Sequence, residues 1–244
     1  MSESHGVTAA SPGASAALRP VRPAGRPLKL AILISGKGSN MAAIARACTE
    51  GRIAGEVVVV ISDRPGVAGI ERAREMGIPT HVVPWRDFPD RDAFERVLHD
   101  VLETYSPDVI VLAGFMRILT PQFVERYAGR MLNIHPSLLP KYRGLHTHRR
   151  VLEAGDREHG ASVHFVTAEL DGGPVVLQSR IPVVPDDTEE TLSARVQATE
   201  HIIYPEVVAW LAQGRLTWRD GRPWLDGKPL VEPVVEDFHA PAGN

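Results

Sequence analysis

The 244-residue sequence has little of what marks secreted or membrane proteins. It contains one cysteine, Cys48. A single cysteine cannot form an intramolecular disulfide, which excludes disulfide-stapled folds and indicates a reducing, cytoplasmic location. Cys48 lies in a helical pattern, so we interpret it as a packed residue and not as a nucleophile. The sequence also has no run of about 18 apolar residues, so we predict no membrane span and no membrane partner.

Positive charge is scarce outside the first residues. Residues 1–27 carry three arginines, one glutamate and few large aliphatic side chains, so we predict a disordered N-terminal tail there. The formal charge of residues 28–244 is therefore −5. A weakly acidic body lacks the clustered cations that nucleic-acid binding requires, so we predict no nucleic-acid partner. We expect one domain over residues 28–235 and a loose C-terminal tail over residues 236–244.

Short apolar runs alternate with helical patterns between residues 28 and 134. Such alternation implies βαβ crossovers, and it predicts an α/β fold with a mostly parallel, Rossmann-like twisted sheet flanked by helices. Asn40 is predicted to cap the first helix. The predicted strands are residues 28–34, 55–61, 80–83 and 109–113, and the predicted helices are residues 41–50, 69–76, 91–105 and 121–127.

The second half of the chain has a different pattern. Residues 162–167 and 175–183 have strand character, and only the turn sequence Gly172-Gly173-Pro174 marks the connection between them. These two segments therefore predict an antiparallel pair appended to the parallel sheet. Residues 191–213 have the spacing of a long helix, and the segments after it predict small hairpins.

The loop after the first strand, Ser35-Gly36-Lys37-Gly38-Ser39-Asn40, is rich in glycine. Met41 stands where a dinucleotide fingerprint has its third glycine, and the ending of a Walker loop is missing too. Exposed N–H groups and the start of a helix still suit a single phosphate. A plain tight turn between strand and helix explains the same residues equally well.

Asn133 and His135 follow an apolar run. Their side chains point to the same side of an extended segment because side chains alternate along a strand. Pro136 and Pro140 restrict the backbone that follows. An amide beside an imidazole can stabilise an oxyanion. A hydrogen-bonded structural histidine is the competing interpretation.

Other polar residues carry weaker signals. Asp171 is a common residue type for a tight turn, but beside His135 its carboxylate could orient and charge the imidazole. His146 and His148 lack a nearby cysteine or a suitably spaced carboxylate, so we predict a loop role and no metal. His164, on a predicted strand, could line the same site. The absence of a Gly-x-Ser-x-Gly motif disfavours a serine hydrolase.

Six motifs in this order closely resemble the folate-dependent phosphoribosylglycinamide formyltransferases of purine biosynthesis, over roughly residues 29–227. Each motif is modest evidence, but six at consistent spacing are specific. The motifs are Ser35-Gly-Lys-Gly-Ser-Asn40, Leu112-Ala-Gly-Phe-Met-Arg-Ile-Leu119, Asn133-Ile-His-Pro-Ser-Leu-Leu-Pro140, Glu158-His-Gly160, Leu170-Asp-Gly-Gly-Pro174 and Val196-Gln-x-x-Glu-His201.

The resemblance implies the formyltransferase fold and transfer of a formyl group from the co-substrate 10-formyltetrahydrofolate to the primary amine of glycinamide ribonucleotide. It implies a catalytic trio of Asn133, His135 and Asp171, with no metal, in a monomer or homodimer. The ribonucleotide would bind at Gly38, Ser39, Asn40 and Glu200. The folate would contact Arg91, Met116, Arg117, Ile118, Leu119, Asn133, Thr167, Ala168, Glu169, Leu170 and Asp171.

Lys37 and Arg143 depart from the common family pattern. Arg143 leans toward the methionyl-tRNA formyltransferase branch of the superfamily, but we see no basic C-terminal domain for tRNA. A formyltetrahydrofolate deformylase is expected to need a regulatory domain larger than residues 1–27. A non-catalytic folate- or nucleotide-binding protein is the alternative from another class, and the presence of the whole trio argues against it. We predict that residues 139–148 form a mobile cover.

Overall fold

The structure is a computed structural model that describes residues 25–239, so most of the predicted N-terminal tail lies outside the described residues. The strands of the described part are β1 (Leu28–Ile34), β2 (Gly55–Ser62), β3 (Thr80–Val82), β4 (Val109–Leu112), β5 (Met131–His135), β6 (Glu158–Phe165), β7 (Val175–Pro182), β8 (Leu216–Arg219), β9 (Arg222–Leu225), β10 (Lys228–Pro229) and β11 (Val234–Asp237). The helices are α1 (Ser39–Thr49), α2 (Ala68–Glu75), α3 (Arg91–Tyr105), α4 (Pro121–Arg126), α5 (Thr147–Ala154) and α6 (Glu189–Ala212). None of these helices is both long and apolar enough to cross a membrane.

Eight strands form one sheet in the order β11-β7-β6-β5-β4-β1-β2-β3. The five neighbouring strands β5, β4, β1, β2 and β3 pair in parallel. Strand β6 runs antiparallel to β5, and β7 runs antiparallel to β6. The predicted α/β fold with an appended antiparallel pair is therefore confirmed. A separate antiparallel sheet of β8, β9 and β10 accounts for the predicted hairpins.

The edge strand β11 corrects the predicted boundary of the C-terminal tail. Glu236 and Asp237 were assigned to a loose segment, but they pair in parallel with β7. Asp237 also accepts hydrogen bonds from the Arg180 guanidinium at 2.6 and 3.0 Å. The four-residue strand has no apolar alternation of its own, and its partner β7 is remote in sequence. No local sequence pattern therefore predicts β11.

Two local predictions about helices were wrong. Gly38, in the left-handed region at φ 67°, precedes α1, and Asn40 lies inside the helix, so Asn40 is not its cap. The Asn40 amide instead donates to the Glu200 carboxylate at 2.8 Å. The helix α5 starts at Thr147, inside the predicted loop 139–148. It was not predicted from the sequence because its eight residues bury only Thr147 and Val151 and so show a short apolar face.

The core lies on both faces of the large sheet. One face packs against α1 and α6, and the other packs against α3 and the segment containing α4. Tyr204 of α6 is fully buried, and its hydroxyl donates to the carbonyls of Leu112 and Leu132 at 2.9 and 3.1 Å. Helix α6 is thus fastened beside the carboxyl ends of β4 and β5, where open α/β sheets bind ligands.

Candidate active site

A cavity of about 510 Å³ opens at the carboxyl ends of β4 and β5. Its walls come from residues 114–119, 133–136, 144–148 and 166–171. Four large apolar side chains in these walls are more than half exposed, namely Met116, Ile118, Leu145 and Leu170. A cavity of this size with exposed apolar walls and a few polar groups suits a flat organic ligand.

The structure brings the three predicted catalytic side chains to this cavity. Asn133 and His135 share one side of β5, and Ile134 between them is buried in the core. Asp171 comes from the turn between β6 and β7, and its Oδ2 lies 3.5 Å from His135 Nδ1. The side chains of His135 and Asp171 are each only 8% exposed, so solvent screens their attraction weakly.

Both ring nitrogens of His135 face acceptors. Nδ1 faces the Asp171 carboxylate, and Nε2 lies 2.9 Å from the carbonyl oxygen of Tyr142. A neutral imidazole has only one N–H, whereas an imidazolium has two. Nε2 carries the proton that the Tyr142 carbonyl accepts, and Nδ1 faces the carboxylate. The backbone N–H of Gly144 donates to Asp171 Oδ2 at 2.9 Å and fixes the carboxylate from the opposite side.

His164 orients the Asn133 amide. The two residues are directly opposed in the β5–β6 ladder, so their side chains lie on the same face. His164 Nδ1 lies 2.9 Å from the carbonyl of Phe165 and must donate to it, which leaves Nε2 to accept from the Asn133 amide at 3.1 Å. Burial lowers the pKa of His164 and favours this neutral form, against the opposing effect of the Phe165 carbonyl. The second N–H of the Asn133 amide has no partner within residues 25–239.

The start of α1 gathers the residues predicted to bind the ribonucleotide. Its first turn contains no acidic side chain, and Ser39 Oγ accepts from Gln197 at 3.3 Å. Burial raises the pKa of Glu200, and the hydrogen bond from Asn40 opposes that rise. A Cβ atom at Gly38 would lie 2.9 Å from the backbone of Gly69, so no larger residue fits there. Lys37 is exposed.

The predicted folate residues divide into two groups. Residues Met116–Leu119 and Thr167–Asp171 line the cavity, as does Asn133. Arg91 does not, because it is the exposed first residue of α3 and no part of it reaches the cavity wall. Its folate contact stays a prediction from the resemblance.

The comparisons with known proteins agree with this geometry. A family model described as formyl transferase matches residues 28–208. The chain belongs to the formyl transferase family. It is 56% identical over 203 residues to the phosphoribosylglycinamide formyltransferase of Escherichia coli K12, an alignment that covers 83% of this chain and 96% of the relative. The Haemophilus influenzae protein of the same name is 46% identical, with 83% and 95% covered.

The fold of this formyl transferase is also that of solved structures. The phosphoribosylglycinamide formyltransferase of Coxiella burnetii superposes with a TM-score of 0.83 at 52% identity, and 86% of this chain and 99% of that chain are covered. The protein of the same name from Brucella melitensis gives a TM-score of 0.74 at 44% identity, with 77% and 96% covered. The formyltransferase fold expected from the sequence is thereby confirmed.

Arg143 lies on the loop after β5 in this formyl transferase, next to the cavity residue Gly144. Its guanidinium contacts the Glu169 carboxylate on the facing loop. Both side chains are substantially exposed, at 40% and 65%. Together with the Gly144 contact to Asp171, this ion pair ties the loop after β5 to the turn after β6.

The structure also shows contacts of the site that sequence reasoning missed. His148 Nδ1 lies 3.0 Å from Nε2 of His159, so His148 pairs with a strand histidine and not with His146. Burial lowers the pKa of both, that of His159 to about 4. The Tyr142 carbonyl at His135 was also missed, since no sequence signal identifies the carbonyl that a histidine will meet. The Glu158-His-Gly160 motif was a usable signal for His159.

Proposed function

We propose that this formyl transferase moves the formyl group of 10-formyltetrahydrofolate to the primary amine of glycinamide ribonucleotide, in purine biosynthesis. The supporting observation is the meeting of Asn133, His135 and Asp171 at one cavity with exposed apolar walls. Relatives that carry the name phosphoribosylglycinamide formyltransferase align over nearly their whole length and support the same substrate pair.

The reaction needs no covalent enzyme intermediate. The amine attacks the formyl carbon, a carbon–nitrogen bond forms, and the carbonyl oxygen becomes a tetrahedral oxyanion. The free N–H of Asn133 and an N–H of protonated His135 donate to that oxygen. Asp171 accepts the proton that the attacking amine loses, directly or through water. The bond to the folate nitrogen then breaks as that nitrogen takes up a proton.

In the structure, the Tyr142 carbonyl occupies the position at His135 that the oxyanion would take in the reaction. His135 Nε2 donates to this carbonyl at 2.9 Å. In the proposed mechanism the oxyanion replaces one of the two present acceptors of the imidazolium. Asp171 must stay to balance its charge, so the carbonyl on the loop is the acceptor that moves. The predicted mobile cover, residues 139–148, would supply that movement.

Substrate placement follows from the two ends of the site. The N–H groups at Gly38, Ser39 and Asn40 bind the phosphate at the start of α1, and Glu200 binds the ribose hydroxyls. The folate lies against residues 116–119 and 167–171, with Arg91 as a further contact. We propose that the reaction uses no metal and that the protein has no nucleic-acid or membrane partner. We also propose a cytoplasmic location and a monomer or homodimer, in which each chain has a single folded domain that begins at residue 28.

The test is a spectroscopic assay of folate turnover with three acceptors. Purified protein is given 10-formyltetrahydrofolate with glycinamide ribonucleotide, with charged methionyl-tRNA, or with water alone. We expect turnover only with the ribonucleotide. Equal or faster transfer to the charged tRNA would support the other superfamily branch, and turnover without any amine would support a deformylase. Folate binding without turnover in all three arms would indicate a binding protein.

A further inference from the structure

One wall of the cavity, residues 113–120, connects β4 to α4 without forming a helix or strand. Two side chains from elsewhere accept hydrogen bonds from its backbone. Ser35 Oγ accepts from the Met116 N–H at 2.8 Å, and the Glu95 carboxylate accepts from the Thr120 N–H at 2.7 Å. A segment without ladder hydrogen bonds takes its shape from such contacts. The middle of the wall, at Arg117, needs a third.

Asp63, at the carboxyl end of β2, supplies it. Its side chain is 0% exposed, and its Oδ2 lies 2.9 Å from Arg117 Nε. The Nε–H bond of Arg117 does not point at this oxygen, so the two groups form a close ion pair and not an aligned hydrogen bond. No hydrogen-bond donor among residues 25–239 reaches either carboxylate oxygen. Arg64 Nε is 3.9 Å away on a half-exposed side chain, so Arg117 is the main counter-charge.

Trp85 restrains the same guanidinium from another side. Arg117 Cζ lies 5.6 Å from the centre of the Trp85 ring, within the range of a cation–π interaction. The backbone N–H of Trp85 also donates to the Asp63 carbonyl at 3.0 Å, so the backbone of Asp63 places the ring. Arg117 is therefore held by a buried carboxylate that follows β2 and an aromatic face that follows the neighbouring parallel strand β3.

We propose that Asp63 is a positioning residue for the folate co-substrate, acting through Arg117 to fix residues 116–119 in the shape that receives it. The proposal rests on the proposed function. A wall that is ordered before binding loses less conformational freedom when the ligand arrives. Asp63 touches none of Asn133, His135 and Asp171, so its loss should weaken co-substrate binding and leave the chemical step unchanged.

The test compares Asp63→Asn with a matched control, Asp108→Asn. Asp108 is also a largely buried aspartate that pairs with an arginine, but it lies at the amino end of β4, remote from the cavity. We expect Asp63→Asn to raise the KM for 10-formyltetrahydrofolate roughly tenfold, the scale of coupling between contacting residues, with kcat and the KM for the ribonucleotide within about twofold. Asp108→Asn should leave both KM values unchanged.

A double-mutant cycle separates positioning from general destabilisation. In an Arg117→Met background, Asp63→Asn should raise the folate KM by less than about twofold, because the group through which it acts is gone. Additive effects, or equal changes in kcat and both KM values, would overturn the proposal. If Asp63→Asn does not fold, Trp85→Leu takes its place, with a smaller selective rise of the folate KM expected and an unchanged KM contradicting us. A wild-type protein that does not use this folate overturns the proposed function instead.

Discussion

Besides residues 113–120, the cavity has two walls that are built in different ways. The strand wall consists of Asn133 and His135 on β5 with His164 on β6, and its groups are set by ladder register. The loop wall consists of residues 144–146 and 167–171, and it exposes Leu145 and Leu170 by 69% and 52%. Strands hold the groups whose positions decide the chemistry, and loops hold the surface that a ligand must pass.

Asp171 is the exception that joins the walls. It belongs to the loop wall by sequence, yet its side chain is 8% exposed and lies against His135. Its backbone is in the left-handed region at φ 48°, and the Gly144 N–H fixes its carboxylate. A loop can therefore present a buried carboxylate to the cavity when a second loop holds it in place.

The largest expected effect comes from breaking this junction. We predict that His135→Ala or Asp171→Asn lowers kcat by ~10²–10³, because the oxyanion loses a charged donor or the amine loses its proton acceptor. Steady-state turnover of the two substrates measures it. Asp237→Asn, an exposed carboxylate on β11, serves as the control and should keep wild-type turnover. Near-normal turnover in either site variant would exclude the proposed roles.

The strand wall can also be tested without changing Asn133, His135 or Asp171. His164→Leu removes the acceptor of the Asn133 amide, so the amide is free to rotate away from the oxyanion. We predict a roughly tenfold fall in kcat, the equivalent of ~1.4 kcal/mol. His81→Leu is the matched control. His81 lies on β3, at the far edge of the sheet, and its ring is hydrogen-bonded to the Tyr105 hydroxyl of α3. An unchanged kcat with a lowered melting temperature would make His164 merely structural.

The same contrast explains what the sequence could predict. Both ends of α3 were predicted correctly, because the apolar spacing along one face of a helix is a local signal. Asn133 and His135 were also readable, since alternation on one strand sets their common side. Asn40 was misassigned because its partner Glu200 is 160 residues away. Side-chain contacts between remote segments leave no pattern in either segment alone, and most of the loop wall depends on them.

The pair of His148 and His159 joins α5, beneath the loop wall, to β6 of the strand wall. Burial holds the pKa of folded His159 at about 4, below its ordinary value of 6.5. Between pH 6.5 and about 4 the unfolded chain therefore binds a proton at His159 that the folded chain does not bind. The contribution of neutral His159 to the free energy of unfolding is complete above pH 6.5 and is lost as the pH falls toward 4.

We therefore predict that the melting temperature falls between pH 6.5 and about 4. The fall should be shallower in His159→Gln, which cannot take up the proton. Thermal melts across this pH range measure both slopes, with His81→Gln as a control that keeps the wild-type slope. Parallel slopes in wild type and His159→Gln would show that this pair does not set the acid stability.

The smallest effect concerns the mouth of the loop wall. The Arg143–Glu169 ion pair joins the loop after β5 to the turn after β6 there, and both side chains are exposed. Exposed pairs contribute about 0–1 kcal/mol and are screened by salt. We predict that Arg143→Ala or Glu169→Ala changes the KM for the folate by less than about fivefold, and that the change shrinks in high salt. Substrate titrations at low and high ionic strength provide the measurement.

Lys141→Ala is the matched control, because Lys141 is on the same loop as Arg143 but pairs with Asp156, which follows α5 and does not line the cavity. A double-mutant cycle on Arg143 and Glu169 should give a coupling under about 1 kcal/mol. A much larger coupling, or a loss of kcat comparable to that of Asp171→Asn, would mean that the ion pair holds Asp171 in place. The loop wall would then be as rigid as the strand wall, and the division between chemistry on strands and access through loops would fail.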